Sequence, residues 1–197
     1  MILVAGLPAT GKTSFARYLS GKTGIPMVSK DIIKEHLFDT VGFNNRQEKV
    51  NLGTAAMDLM YHFASLNLEL GKSVILENNF ENVSKPGLLG LIDKYRCKTV
   101  MVRFHTDIEV LSERFLARDQ SPDRHRGHVI NTRYPEDEKS RREDRGDSDF
   151  VNYYTAMKKR GMEYFSVGCP EIIVDSTDFS KVNYDELYAR VIKELDS

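Results

Sequence analysis

Gly6-Leu7-Pro8-Ala9-Thr10-Gly11-Lys12-Thr13 fits G-x-x-x-x-G-K-[ST], the spacing of a phosphate-binding loop. A glycine turn can meet this pattern by chance, so the flanks decide. Ile2 to Ala5 is a short, unbroken apolar run, as a strand buried on both faces requires. Phe15, Ala16 and Leu19 then recur at helical spacing. Strand, loop and helix come in the order such a loop needs. Gly6 and Gly11 let the backbone bend around an anion with no Cβ in the way. The loop N–H groups point inward, and the helix N-terminus adds partial positive charge. Lys12 can bridge the β- and γ-phosphates of ATP, and Thr13 offers a hydroxyl to Mg²⁺.

The rest of the chain repeats the strand-then-helix alternation. Met27-Val28-Ser29, Val74-Ile75-Leu76, Thr99 to Phe104 and Ile172-Ile173-Val174 read as four further strands. Helices are expected over Asp31–Phe38, from Asn44 or Asn45 to about Leu70, over Pro86–Tyr95, and over Tyr153–Tyr164. The long one should bury Val50, Met57, Met60, Phe63 and Ala64 and stop at Gly71. Thr106 and Glu109 have the spacing of a capping box before a helix with Ile108, Leu111, Phe115 and Leu116 on its buried side. Asn183 is placed to cap a last helix with a clear apolar face. The fold class that follows is α/β, with a three-layer, five-stranded parallel sheet and helices on both faces. Ligands then lie at the carboxyl ends of the strands.

Those strand ends carry the candidate chemistry. Ser29-Lys30-Asp31, with Lys34 one turn on, follows the second strand. Asp31 is either the cap of the next helix or a catalytic carboxylate. Glu77, Asn78 and Asn79 follow the third, where an acid can hold Mg²⁺ through water or orient a substrate. Arg114 and Arg118 share a helix face just before a charged stretch. Arginine stabilises a transferring phosphoryl group bidentately, which makes both candidates for the nucleotide and Arg118 the first for catalysis. From Asp119 to Asp149 charges dominate and aliphatic residues nearly vanish. That segment is either a solvated loop or a lid that closes over a nucleotide.

Length and charge set the outer limits. The 197 residues suit one domain, 1–197, with a lid inserted at 119–149. A net charge of −1 gives no general attraction to long nucleic acid or to a membrane surface. Cys97 and Cys169 are isolated in sequence, which fits a reducing, cytoplasmic setting. His125 and His128 lack companions at metal-ligand spacing. Asp39-Thr40-Val41-Gly42 matches a GTPase D-x-x-G but follows a helix, and no N-K-x-D occurs.

The loop through Ser14 resembles the G-x-P-x-[SAT]-G-K-[ST] loop of small P-loop kinases of the predicted-kinase branch, which includes polynucleotide 5′-kinase, chloramphenicol phosphotransferase and zeta-toxin-like kinases. Ser29-Lys30-Asp31-x-x-Lys34 is similar to that branch's S-[RK]-D-x-x-R, with lysine in the arginine position. Val74 to Phe80 is similar to its strand-D-x-[NT]-F segment, with Glu77 for the aspartate. Arg124-His125-Arg126-Gly127-His128 is similar to its R-H-x-G-H element. The resemblance spans nearly the whole chain. It implies a kinase that takes Mg·ATP and a hydroxyl acceptor, either a small molecule or a nucleic-acid end, with Asp31 as base. Gly6, Pro8, Ala9, Thr10, Gly11, Lys12, Thr13, Ser14, Arg114 and Arg118 would hold the nucleotide. Asp31, Lys34, Glu77, Asn79, Arg126 and His128 would face the acceptor. An ATPase or a nucleotide-dependent switch is the competing reading.

Overall fold

The structure is a computed structural model that describes residues 1–136 and 147–196. Strand β1 (Ile2–Gly6) leads through the loop into helix α1 (Lys12–Thr23), then β2 (Met27–Ser29), α2 (Lys30–Val41) and α3 (Arg46–Glu69). Next come β3 (Ile75–Glu77), α4 (Lys85–Tyr95), β4 (Val100–His105), α5 (Ile108–Gln120) and the one-turn α6 (Arg126–Val129). Helix α7 (Asp147–Lys159), β5 (Glu171–Asp175) and α8 (Tyr184–Asp196) complete the described chain. The strands form one sheet in the order β2-β3-β1-β4-β5, and every pairing is parallel.

Strand side chains alternate between faces, and this sorts the helices into two layers. Ile2 and Val4 pack with Phe15, Ala16 and Leu19 of α1 and with Leu187 and Val191 of α8. Leu3 and Ala5 turn the other way, toward Met57, Met60 and Ala64 of α3 and Leu88 and Leu91 of α4. A third cluster joins Leu111 and Phe115 of α5 to Phe150 and Met157 of α7, beside Leu7 of the loop. The α/β expectation holds, with β1 at the centre and the loop at its carboxyl end.

Several local expectations are corrected. In α3 the buried stripe is Met57, Met60 and Ala64, whereas Val50 and Phe63 are 44% and 45% exposed. No Thr106–Glu109 capping box forms: Asp107 is the cap residue of α5 and makes no side-chain capping bond. Thr106 is instead within 2.7 Å of Ser176 Oγ, tying the start of α5 to the end of β5. Helix α7 begins and ends earlier than expected. Phe150 and Met157, two turns apart, set its buried face, and the chain leaves the helix at Gly161, φ 78°. Asn183 caps α8 as expected, accepting from the N–H groups of Asp185 and Glu186 at 3.0 and 3.1 Å.

The charged stretch also differs from a bare solvated loop. Its first residues finish α5, and Val129 and Ile130 are 2% and 3% exposed, so they anchor α6 to the body. Phe43 and Tyr134 form an antiparallel bridge. Residues 137–146 of the expected lid lie outside the described residues.

Candidate active site

The loop is shaped by its own sequence. Gly6 sits at φ 142°, and a Cβ there would meet the Phe104 carbonyl oxygen at 2.5 Å. Thr10 Oγ1 donates to the Leu7 carbonyl at 2.8 Å and fixes the turn. Gly11 precedes α1 without any side-chain cap, so the first N–H groups of the helix remain open toward the loop.

Beneath the loop three predicted residues meet. Thr13 Oγ1 donates to Glu77 Oε1 at 3.1 Å, and Lys12 Nζ lies 3.8 Å from the same oxygen. Ser29 Oγ donates to Glu77 Oε2 at 2.6 Å. β2 and β3 run in register with Ser29 opposite Glu77, so the sheet itself creates this contact. Lys12 also donates to the Leu7 carbonyl at 3.3 Å. Burial pulls the Lys12 ammonium below its ordinary pKa against the opposing pull of Glu77 and Asp31. A hydroxyl and a carboxylate side by side next to a phosphate loop are hard oxygen donors. That donor chemistry fits a small divalent cation such as Mg²⁺.

A cleft of about 680 Å³ opens at the carboxyl edge of the sheet. Pro8, Asp31, Lys34, Asn79, Arg118 and His128 all line it, brought together from five separate stretches of chain. Asp31 sits in the first turn of α2, but the cap residue is Ser29, and the Asp31 carboxylate makes no hydrogen bond among the described residues. Burial alone would raise its pKa. The charges of His128, Lys34, Lys12 and Arg124 outweigh that and hold it well below the usual carboxylate range. Among the described residues, Asn79 Oδ1 and Arg118 Nε are buried without a hydrogen-bond partner. His128 Nε2 pairs with Glu35 Oε1 at 2.9 Å, and burial keeps the ring below its ordinary pKa despite that partner.

Two predicted residues lie elsewhere. Arg126 does not line the cleft but forms an ion pair with Glu136 through two of its nitrogens. Arg114 donates to the carbonyls of Ser176 and Thr177 at 2.6 and 2.8 Å and lies 3.7 Å over the Phe179 ring. Phe179 in turn packs against Gly11, where an added Cβ would meet it at 2.8 Å. Arg114 therefore braces the β5–α8 connection alongside the loop. Of the nucleotide-side candidates, Ala9 is held at φ 66° and Ser14 is exposed at the start of α1.

Sequence reasoning missed Arg46, Asn131 and Arg160, which also line the cleft. Lys49, 3% exposed, was missed as well. Its ammonium donates to the carbonyls of His128 and Ile130 and to Asn131 Oδ1. These residues come from α3, the 124–131 stretch and the end of α7, and no local pattern ties them to the loop. Arg124, the first residue of the R-H-x-G-H element, was given no place of its own in the site and also lines the cleft. It sits 3.4 Å from Asp119, within the cleft wall.

Comparison with known proteins fits this geometry. A family model described as an AAA domain (AAA_33) matches residues 1–134. No curated protein sequence matches the chain. Among solved structures, a presumed kinase from Chloroflexus aurantiacus J-10-fl is similar at 25% identity and TM-score 0.76, covering 99% of this chain and 94% of that one. Shikimate kinase from Bacteroides thetaiotaomicron is similar in fold at 14% identity and TM-score 0.55, covering 100% and 98%. Kti12 from Chaetomium thermophilum, solved with ADP-AlF3, is similar at 16% identity and TM-score 0.57, covering 98% of each chain. The chain belongs to the AAA domain family and has the fold of the small P-loop kinases.

Proposed function

We propose that this chain is an ATP-dependent kinase, with 1–197 as one catalytic domain and 119–149 as its lid, that moves the γ-phosphoryl group of Mg·ATP to an acceptor hydroxyl. The observation that carries this reading is the Asp31 carboxylate. It has no hydrogen bond among the described residues, is held below the usual carboxylate range by the cations around it, and lines the same cleft as Pro8 of the phosphate loop and Arg118. A structural relative solved with ADP-AlF3 supports the nucleotide half of the reading.

Gly6 to Ser14 would cradle the phosphates, with Lys12 released from Glu77 to meet the β/γ-oxygens. Thr13 and Glu77 are the residues that would hold Mg²⁺. When bound, the cation would offset the negative charge of the nucleotide's phosphates. Arg114, through the Ser176–Thr177 turn it braces, would set the floor for the base.

The acceptor oxygen forms a bond to the γ-phosphorus while the bond to the β-phosphate oxygen breaks, and ADP leaves with that electron pair. The hydroxyl proton passes to Asp31 or, late in the step, to solvent. A carboxylate held well below its usual range is a weak proton acceptor. Asp31 therefore works chiefly by aligning the hydroxyl, which a loose transition state needs more than early deprotonation. Arg118, with an unused buried Nε, is placed to meet charge on the transferring group.

The test is ADP release measured with labelled ATP across a panel of alcohols, with Lys12→Ala as control. The reading predicts release that depends on an added hydroxyl compound and falls at least about 10²-fold in the variant. Release at the same rate without any acceptor would instead mark an ATPase.

A further inference from the structure

Strand β2 is an edge of the sheet, so the second half of α3, which packs above that edge, has a helical neighbour on one flank only. That neighbour is α4. Tyr61 Oη donates to the Ser84 carbonyl at 2.8 Å, and a Cβ added at Gly87 would meet the Tyr61 ring at 2.3 Å. The opposite flank carries Leu59, Phe63, Leu66 and Leu70, which are 37%, 45%, 45% and 71% exposed. Their spacing of four, three and four residues puts them on one continuous stripe. Among the described residues, none of the four joins a core cluster. Phe63 reads as core in the sequence, yet the fold leaves nearly half of it outside.

This stripe is complementary to itself. A two-fold axis between Ala64 and Ser65 sets two copies of α3 antiparallel. Phe63 then meets the partner's Leu66, and Leu59 meets the partner's Leu70. The outer border of the stripe carries His62 and Glu69, both exposed. The same axis brings His62, a donor, beside the partner's Glu69, an acceptor. From Leu59 to Leu70 the helix runs about 17 Å. With its borders, a contact of that length suits the low end of specific interfaces, roughly 1,000–1,200 Å² in total. The other sheet edge is defended instead. On β5 the exposed Ile173 stands between Glu171 and Asp175, so a second copy of that strand would meet like charge.

We propose that the chain forms a two-fold dimer through the second half of α3, with Leu59, Phe63, Leu66 and Leu70 packed antiparallel against the same four residues of a second copy. The occupant is a second copy because the palindromic spacing and the His62–Glu69 pairing complete themselves only under a two-fold. An interface of this size is weak, with a dissociation constant on the order of 10 µM. Arg46 and Lys49 lie at the other end of α3, Arg46 about 28 Å from the axis along the helix. Each copy therefore keeps a complete cleft of its own, and the proposal is independent of the phosphotransfer reading.

Sedimentation velocity on the whole chain, from about 1 to about 200 µM, tests the proposal across the range in which a weak dimer forms. The expected result is a monomer at the dilute end and a dimer at the concentrated end. Phe63→Glu should raise the dissociation constant at least about 30-fold, as loss of a central aromatic contact does. The melting curve of the dilute protein and its affinity for an ATP analogue should stay as they were, because the residue lies outside both core and cleft. Leu66→Lys is read in the same way should Phe63→Glu fail to fold. A charge exchange then tests the pairing. His62→Glu should weaken the dimer by about fivefold or more, and Glu69→Lys added to the same chain should restore it. A monomer throughout the range would overturn the proposal. So would a dimer that persists unchanged in folded Phe63→Glu and Leu66→Lys proteins, which would place the contact elsewhere. Weakening by His62→Glu without rescue by Glu69→Lys would overturn the antiparallel pairing.

Discussion

At the scale of single residues, the site is a set of buried polar groups with unfinished hydrogen bonds. Arg118 Nε and Asn79 Oδ1 each lack a partner among the described residues, and such groups are costly unless a ligand completes them. Arg118→Ala should therefore lower kcat by about 10²-fold while changing the dissociation constant of an ATP analogue much less. Steady-state kinetics beside analogue titration checks this, and a loss confined to nucleotide affinity would give Arg118 a ground-state role instead. The residues legible in sequence, Lys12, Thr13, Asp31 and Glu77, lie at the carboxyl end of a strand or at the start of the helix after it, where position in the chain fixes position at the sheet edge. Arg126 was misplaced because the charged run offers several acids, Glu136 among them, and spacing does not say which arginine each one pairs with. Arg46 and Lys49 were invisible because their meaning lies in contacts made across more than one element.

At the scale of elements, the feature with most consequence is how α6 docks on α2 and α3. His125 pairs with Asp39 at 3.0 Å, His128 with Glu35 at 2.9 Å, and Lys49 holds three oxygens of the 128–131 stretch. Gly127 packs where an added Cβ would meet Phe38 at 2.3 Å, so the R-H-x-G-H element lies close on the ring. Composition alone described this stretch as charged and free of anchors, because Val129 and Ile130 are too few to form a periodic pattern. The same limitation shifted the start of α7, whose buried Phe150 stands among charged neighbours. Lys49→Met would leave buried carbonyls without a donor and should cost about 1–3 kcal/mol of stability. Hydrogen exchange should then show faster opening of residues 128–131 than in the unaltered protein. An unchanged melting curve and unchanged exchange would show that Lys49 does not pin this stretch.

At the scale of the whole molecule, the strand order β2-β3-β1-β4-β5 places the phosphate loop centrally and aligns β2 with β3. That arrangement sets Ser29 against Glu77 and starts α2 so that Asp31 enters the cleft. The alternation of strands and helices made the sheet legible, since each buried strand is a short apolar run. The charge surplus of one cleft was not legible, because it cancels in the near-neutral total. The described helices include none long and apolar enough to cross a membrane. The cations around Asp31 also fix a sign. Its pKa is depressed in the folded chain, so its charge contributes stability at neutral pH that fades only as pH falls toward that lowered value.

The account turns on Asp31 facing the phosphate loop as the group that aligns the acceptor. Asp31→Asn keeps the shape and removes the charge, so the decisive measurement is its kcat beside the dissociation constant of an ATP analogue and a melting curve. The account predicts a folded protein that binds the analogue within about threefold of normal and turns over roughly 10²–10⁴-fold more slowly. Near-normal turnover in a folded Asp31→Asn protein would contradict it.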